Sequence, residues 1–96
     1  MQLGHLKLAD GEVISVQASS FHYCMPREDF APAYTHVEVA SFGKAIPELA
    51  EYAEGLADPA DPDAVWVYPY TPAEKVEELI ASRGGLAENL GKRILF

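Results

Sequence analysis

Leu6, Leu8, Ile14 and Val16 can share one face of a β-hairpin in only one register, and that requirement constrains the start of the chain. Side chains alternate across a strand, so a slip of one residue sends a whole apolar set to the wrong side. A two-residue turn at Asp10-Gly11 would pair Leu6 with Ser15 and scatter the set. A three-residue loop, Ala9-Asp10-Gly11, pairs Leu8 with Glu12 and Leu6 with Ile14, with Gly11 in the left-handed conformation that glycine adopts without strain. Strands are therefore predicted over residues 3–8 and 12–18.

Two further strands are predicted over residues 20–25 and 34–40, joined by an eight-residue loop whose ends Pro26 and Pro32 keep out of the sheet. Small residues at 18–20 bend the path into the first of them. Alternation points Phe21, Tyr23 and Met25 one way and His22 and Cys24 the other. In the second strand Thr35, Val37 and Val39 oppose Tyr34, His36 and Glu38. If the apolar faces coincide, the opposite face collects His22, Cys24, Tyr34, His36 and Glu38. A four-stranded antiparallel meander is the simplest arrangement.

Helical spacing begins after Lys44, where Ile46, Leu49, Ala50, Ala53 and Leu56 fall on one stripe and Pro47 restricts the start to Ala45 or Ile46. Residues 57–64, with two prolines and three aspartates, read as an exposed linker inside the domain. A short strand with the sole Trp follows at 65–68. Thr71, Pro72 and Glu74 then form a capping-box pattern for a helix running to about Ser82, which Gly84-Gly85 stops. Beyond it, residues 87–90 suit a helical turn, and the tail Ile94-Leu95-Phe96 adds a strand or docks on a partner. The expected fold class is α+β: a mostly antiparallel sheet of about five strands with two helices on one face, in the order β-β-β-β-α-β-α.

Ninety-six residues suffice for one domain, expected to span 1–96, and a single Cys forbids an internal disulfide. No basic region followed by an apolar run opens the chain, and no apolar stretch approaches the ~20 residues that cross a bilayer. The expected location is the cytoplasm. Fifteen acids against seven bases give a formal net charge of -8, which disfavours direct contact with nucleic acid or anionic membranes and favours basic partners.

Three groups of residues carry candidate chemistry. His22, Cys24, His36 and Glu38 are residue types that bind zinc or form a Cys–His nucleophile pair, although His-x-Cys and His-x-Glu are not specific metal spacings. Set against that chemistry is a solvated or helix-covered sheet face. Glu48, Glu51, Glu54, Asp58, Asp61 and Asp63 lie in a stretch from 45 to 74 that holds no basic residue, an anionic surface able to attract a Lys- and Arg-rich groove. Arg27 and Phe30 mark a loop tip suited to contact with a partner, because Arg and aromatic residues dominate binding hot spots. Trp66, Tyr68 and Tyr70 read as core and sheet edge. Asp58, Asp61 and Asp63 lack the Gly and twelfth-place Glu of a calcium loop. No phosphate-binding Gly-rich loop, Cys-x-x-Cys, His-Glu-x-x-His or Gly-x-Ser-x-Gly is present.

In size, acidity and lack of catalytic motifs the chain resembles small acidic proteins of phages and other mobile elements. Some of these block CRISPR surveillance complexes by occupying a basic DNA-binding surface. The resemblance implies a non-enzymatic, cofactor-free inhibitor whose partner is a protein with a basic nucleic-acid-binding surface. Two other readings stand beside it. One is a small metal protein or enzyme using His22, Cys24, His36 and Glu38. The other is a homodimerisation module joined through the apolar tail or a free sheet edge.

Overall fold

The computed structural model describes residues 3–55 and 57–91. Five strands, β1 (Gly4–Leu8), β2 (Val13–Gln17), β3 (His36–Phe42), β4 (Val65–Pro72) and β5 (Leu86–Asn89), form one antiparallel sheet in the order β4-β3-β2-β1-β5. A 3-10 helix, Pro47–Tyr52, lies between β3 and β4, and the helix α1 (Ala73–Ser82) lies between β4 and β5. The fold is α+β.

The N-terminal hairpin takes the register that gathers its apolar residues. Leu6 faces Ile14, Leu8 N–H donates to the Glu12 carbonyl at 2.8 Å, and Gly11 has φ +94°. Leu6, Leu8, Ile14 and Val16 are all buried, in one cluster with Val37, Val39 and Tyr68 of the neighbouring strands. Ile46 and Leu49 of the 3-10 segment and Val76 and Leu79 of α1 belong to the same cluster. The Tyr68 hydroxyl accepts from Ile46 N–H at 2.7 Å, tying the start of the 3-10 helix to the sheet.

Several predicted elements are replaced, each for a local reason. Residues 20–25 are not a strand of the sheet. They belong to a long loop whose β-bridge to β3 joins Met25 to His36, so the observed order is β-β-β-(3-10)-β-α-β. The expected α-helix after Lys44 is a 3-10 helix that ends at Tyr52, because Ala53 is extended and Glu54 N–H donates to the Val67 carbonyl of β4 at 2.9 Å. Leu56, expected on its buried stripe, lies outside the described residues. The expected turn at 87–90 is instead β5. After Gly84-Gly85 the chain pairs its backbone groups with the open edge of β1. The Gly stop itself is as expected: Gly84 has φ +91° and Gly85 N–H donates back to the Ile80 carbonyl at 2.9 Å. The tail Ile94-Leu95-Phe96 lies outside the described residues.

The capping box does not form. Thr71 is paired with Val37 in the ladder and fully buried, and its hydroxyl donates to the Tyr68 carbonyl at 3.0 Å. Pro72 occupies the cap position, and the first helical N–H, that of Ala73, is satisfied by the Thr35 carbonyl at 2.9 Å. Thr71→Val keeps the shape and removes only that hydroxyl. It is expected to cost about 1 kcal/mol, read as a lowered urea midpoint, whereas Thr71→Ser retains most of the stability.

Candidate protein-binding surface

The loop between β2 and β3 keeps the period-two alternation of its sequence but inverts it. His22 and Cys24 are buried, while Phe21, Tyr23 and Met25 face solvent. Cys24 sits in the core as a small hydrophobe, its thiol donating to the carbonyls of Ser19 at 3.2 Å and Pro26 at 3.3 Å. His22 Nδ1 lies 2.6 Å from Ser19 Oγ, and His36 Nδ1 lies 2.9 Å from Thr35 Oγ1. His22, Cys24, His36 and Glu38 are therefore not assembled as one face. Among the described residues no three His, Cys, Asp or Glu side chains stand close enough to hold a metal ion.

A β-bulge brings the loop to the sheet. Val37 pairs with Thr71 and Val39 with Tyr68, which leaves Glu38 opposite two residues, Pro69 and Tyr70. Tyr70 takes φ +51° there, and its freed N–H donates to the Tyr23 carbonyl at 3.0 Å. The Tyr23 N–H in turn hydrogen-bonds the Glu38 carboxylate, which is 4% exposed. Tyr23 thus fills the gap in the ladder. Its ring lies 5.8 Å from that of Tyr70, and the Arg27 guanidinium lies over it at 5.3 Å. Burial pushes the Glu38 carboxyl above its ordinary range and nearby Glu54 adds to that, while the Tyr23 N–H and Arg27 oppose it.

The same loop is tied together internally. Ser20 N–H and Oγ–H both donate to Asp29 Oδ1, at 3.0 and 3.1 Å, and the Tyr34 hydroxyl donates to the Glu28 carbonyl at 2.6 Å. Phe21 and Phe30 leave the backbone beside the Ser20–Asp29 link, 86% and 89% exposed. Phe30 has φ +54°, so it and Tyr70 are the described non-glycine residues held in the left-handed region. A bulky side chain there stores on the order of 1 kcal/mol and persists only where its surroundings over-determine it.

The acidic stretch divides in two. Glu48 is taken up by Arg83, which receives no hint from local sequence: its Nε and Nη2 each donate to a Glu48 carboxylate oxygen at 3.0 Å. The same guanidinium donates to Asp10 at 3.0 Å and to Glu12, and its side chain is only 19% exposed. These contacts hold the Glu48 carboxyl below its ordinary range. Asp10 is lowered too, first by the Glu12 backbone N–H and then by Arg83. The expectation that no cation compensates the row is thus corrected for Glu48. Glu51, Glu54, Asp58, Asp61 and Asp63 remain exposed, and none forms an ion pair among the described residues. They do not form one helical edge. Glu51 is on the 3-10 helix, Glu54 is bridged to β4, and Asp58 and Asp61 close turns on the N–H groups of Ala60 and Asp63 at 2.9 and 2.8 Å.

Sequence reasoning singled out Arg27 and Phe30 in this loop and did not anticipate that Phe21, Tyr23 and Tyr70 are exposed with them, because a period-two pattern does not say which face is buried. No protein-family model matches this chain, and no curated protein or solved structure is significantly similar to it. Among the described residues no helix is long and apolar enough to cross a membrane.

Two outcomes test this electrostatic account. Because Glu38 holds its proton to higher pH in the folded chain than in the unfolded one, it withdraws stability as pH rises through the carboxylate range. Glu38→Gln is therefore expected to raise the urea midpoint at neutral pH, and the advantage should vanish once pH falls below about 4. Arg83→Leu should instead lower the unfolding free energy by about 1–2 kcal/mol at low salt and by less at high salt, read as a lower urea midpoint.

Proposed function

We propose that this chain is a small non-enzymatic binding protein that acts by occupying a basic, nucleic-acid-binding surface of another protein. The observation that carries the reading is the unpaired acidic segment. After Arg83 has taken Glu48 into the fold, the carboxylates of Glu51, Glu54, Asp58, Asp61 and Asp63 stand exposed with no cation between 45 and 74. Like charges so close together repel, and that repulsion is relieved when a basic surface covers them. In this reading the chain works as one domain in the cytoplasm, with both helical segments on the sheet face that carries Leu6, Ile14 and Val16. Inhibition of a host defence or regulatory complex, such as a CRISPR complex, by a protein of a phage or other mobile element is the role that fits the sequence resemblance. Arg27 and Phe30, expected from the sequence to set specificity for that partner, lie in the separate aromatic loop, and this reading does not depend on them.

The test is the triple variant Glu51→Lys, Glu54→Lys and Asp58→Lys, which leaves the Arg83 contacts untouched. Both forms are immobilised and used to capture proteins from a host lysate, identified by mass spectrometry. The parent chain is expected to retain a nucleic-acid-binding protein that high salt or added DNA releases, and the variant to lose it. Equal retention by the variant would exclude the acidic segment as the contact.

A further inference from the structure

The exposed aromatic loop is left without an occupant by the acidic-segment reading. Its architecture is that of a presented surface. Phe21 and Phe30 are almost wholly exposed, and Phe30 is held outward in a left-handed conformation by a loop cross-linked through Ser20, Asp29 and Tyr34. Tyr23 and Met25 of the same loop, and Tyr70 whose ring meets that of Tyr23, are each roughly half exposed. Aromatic side chains of this kind present on the order of 150 Å² each, so the patch reaches roughly 500 Å², the size at which an apolar surface marks an interaction site.

Charge decides what covers it. Arg27 lies over Tyr23 within the patch and Glu28 follows it directly in the same exposed loop, so the patch carries both signs of charge. An isologous contact needs a self-complementary surface, and neighbouring charges of opposite sign let Arg27 of one copy meet Glu28 of the next. We infer that the loop carrying Phe21, Tyr23, Arg27 and Phe30 pairs with its counterpart in a second copy of this chain, forming a homodimer. Two such patches bury roughly 1,000 Å² in all, the low end for a specific contact, and so a dissociation constant in the micromolar range is expected.

This inference goes beyond the acidic-segment reading and does not rest on it, and salt separates the two. Each copy has a net charge of -8, so screening weakens the repulsion between copies and tightens an apolar dimer. The same screening loosens a complex with a basic partner. The experiment is sedimentation equilibrium of the whole chain from about 10 to about 500 micromolar, at about 0.05 M and about 0.5 M salt. The expected result is a mass rising from 10.5 kDa toward twice that value, with tighter association at the higher salt. The double variant Phe21→Ala, Phe30→Ala should weaken association at least tenfold. Phe30→Gly, which removes the left-handed strain and so keeps the fold, should weaken it as well. A parent chain that stays monomeric at both salts, or variants that associate as the parent does, would overturn the dimer.

Discussion

The guanidinium of Arg83 gathers carboxylates from two distant parts of the chain at the end of α1 and so ties together three segments that also meet in the core. Asp10 and Glu12 belong to the turn of the first hairpin, and Glu48 opens the 3-10 helix. In a chain with fifteen acids and seven bases such a cation is scarce, and a planar fork that binds a carboxylate with two donors uses it efficiently. Its position immediately after the last helical residue also suits the negative end of the helix. With the hairpin turn, the 3-10 helix and the end of α1 joined, β4 runs between two anchored segments.

The outer edge of β4 is where those constraints become a surface. An edge strand exposes unpaired backbone groups and invites aggregation. Here the Val67 carbonyl is covered by Glu54, while the Tyr70 N–H that the bulge frees is taken up by Tyr23. Each cover belongs to an exposed feature, the acidic segment on one side and the aromatic loop on the other. These two contacts tie both exposed features to β4.

Glu38 shows how closely the loop depends on the sheet. A buried carboxylate needs a donor, and its donor is the N–H of the loop residue whose carbonyl satisfies the bulge. The aromatic rings of Tyr23 and Tyr70 are brought together by that backbone exchange rather than by the burial of the rings themselves. A loop ordered in advance in this way has little conformational freedom left to lose on binding.

What the sequence determined by itself was local. The hairpin register followed from four apolar residues and one glycine, the Gly84-Gly85 stop from backbone conformation, and the α+β class from the alternation of periods. The acidity of residues 48–63 was equally plain. Tertiary structure alone decided the rest. Thr71 was recruited into the ladder instead of capping the helix, since Val37 lay opposite it and the Thr35 carbonyl was at hand for Ala73. Glu54 left the helix for β4 because a partner carbonyl was there. The loop at 20–25 buried His22 and Cys24 and turned Phe21 and Tyr23 outward, since a seat in the bulge, not hydrophobicity, set its orientation. Arg83 found its carboxylates up to 73 residues away. Periodicity reports which residues share a face and turn chemistry reports where a chain bends. Which face is inside, and which distant charge or carbonyl will be waiting, depends on contacts that exist only once the chain has closed on itself.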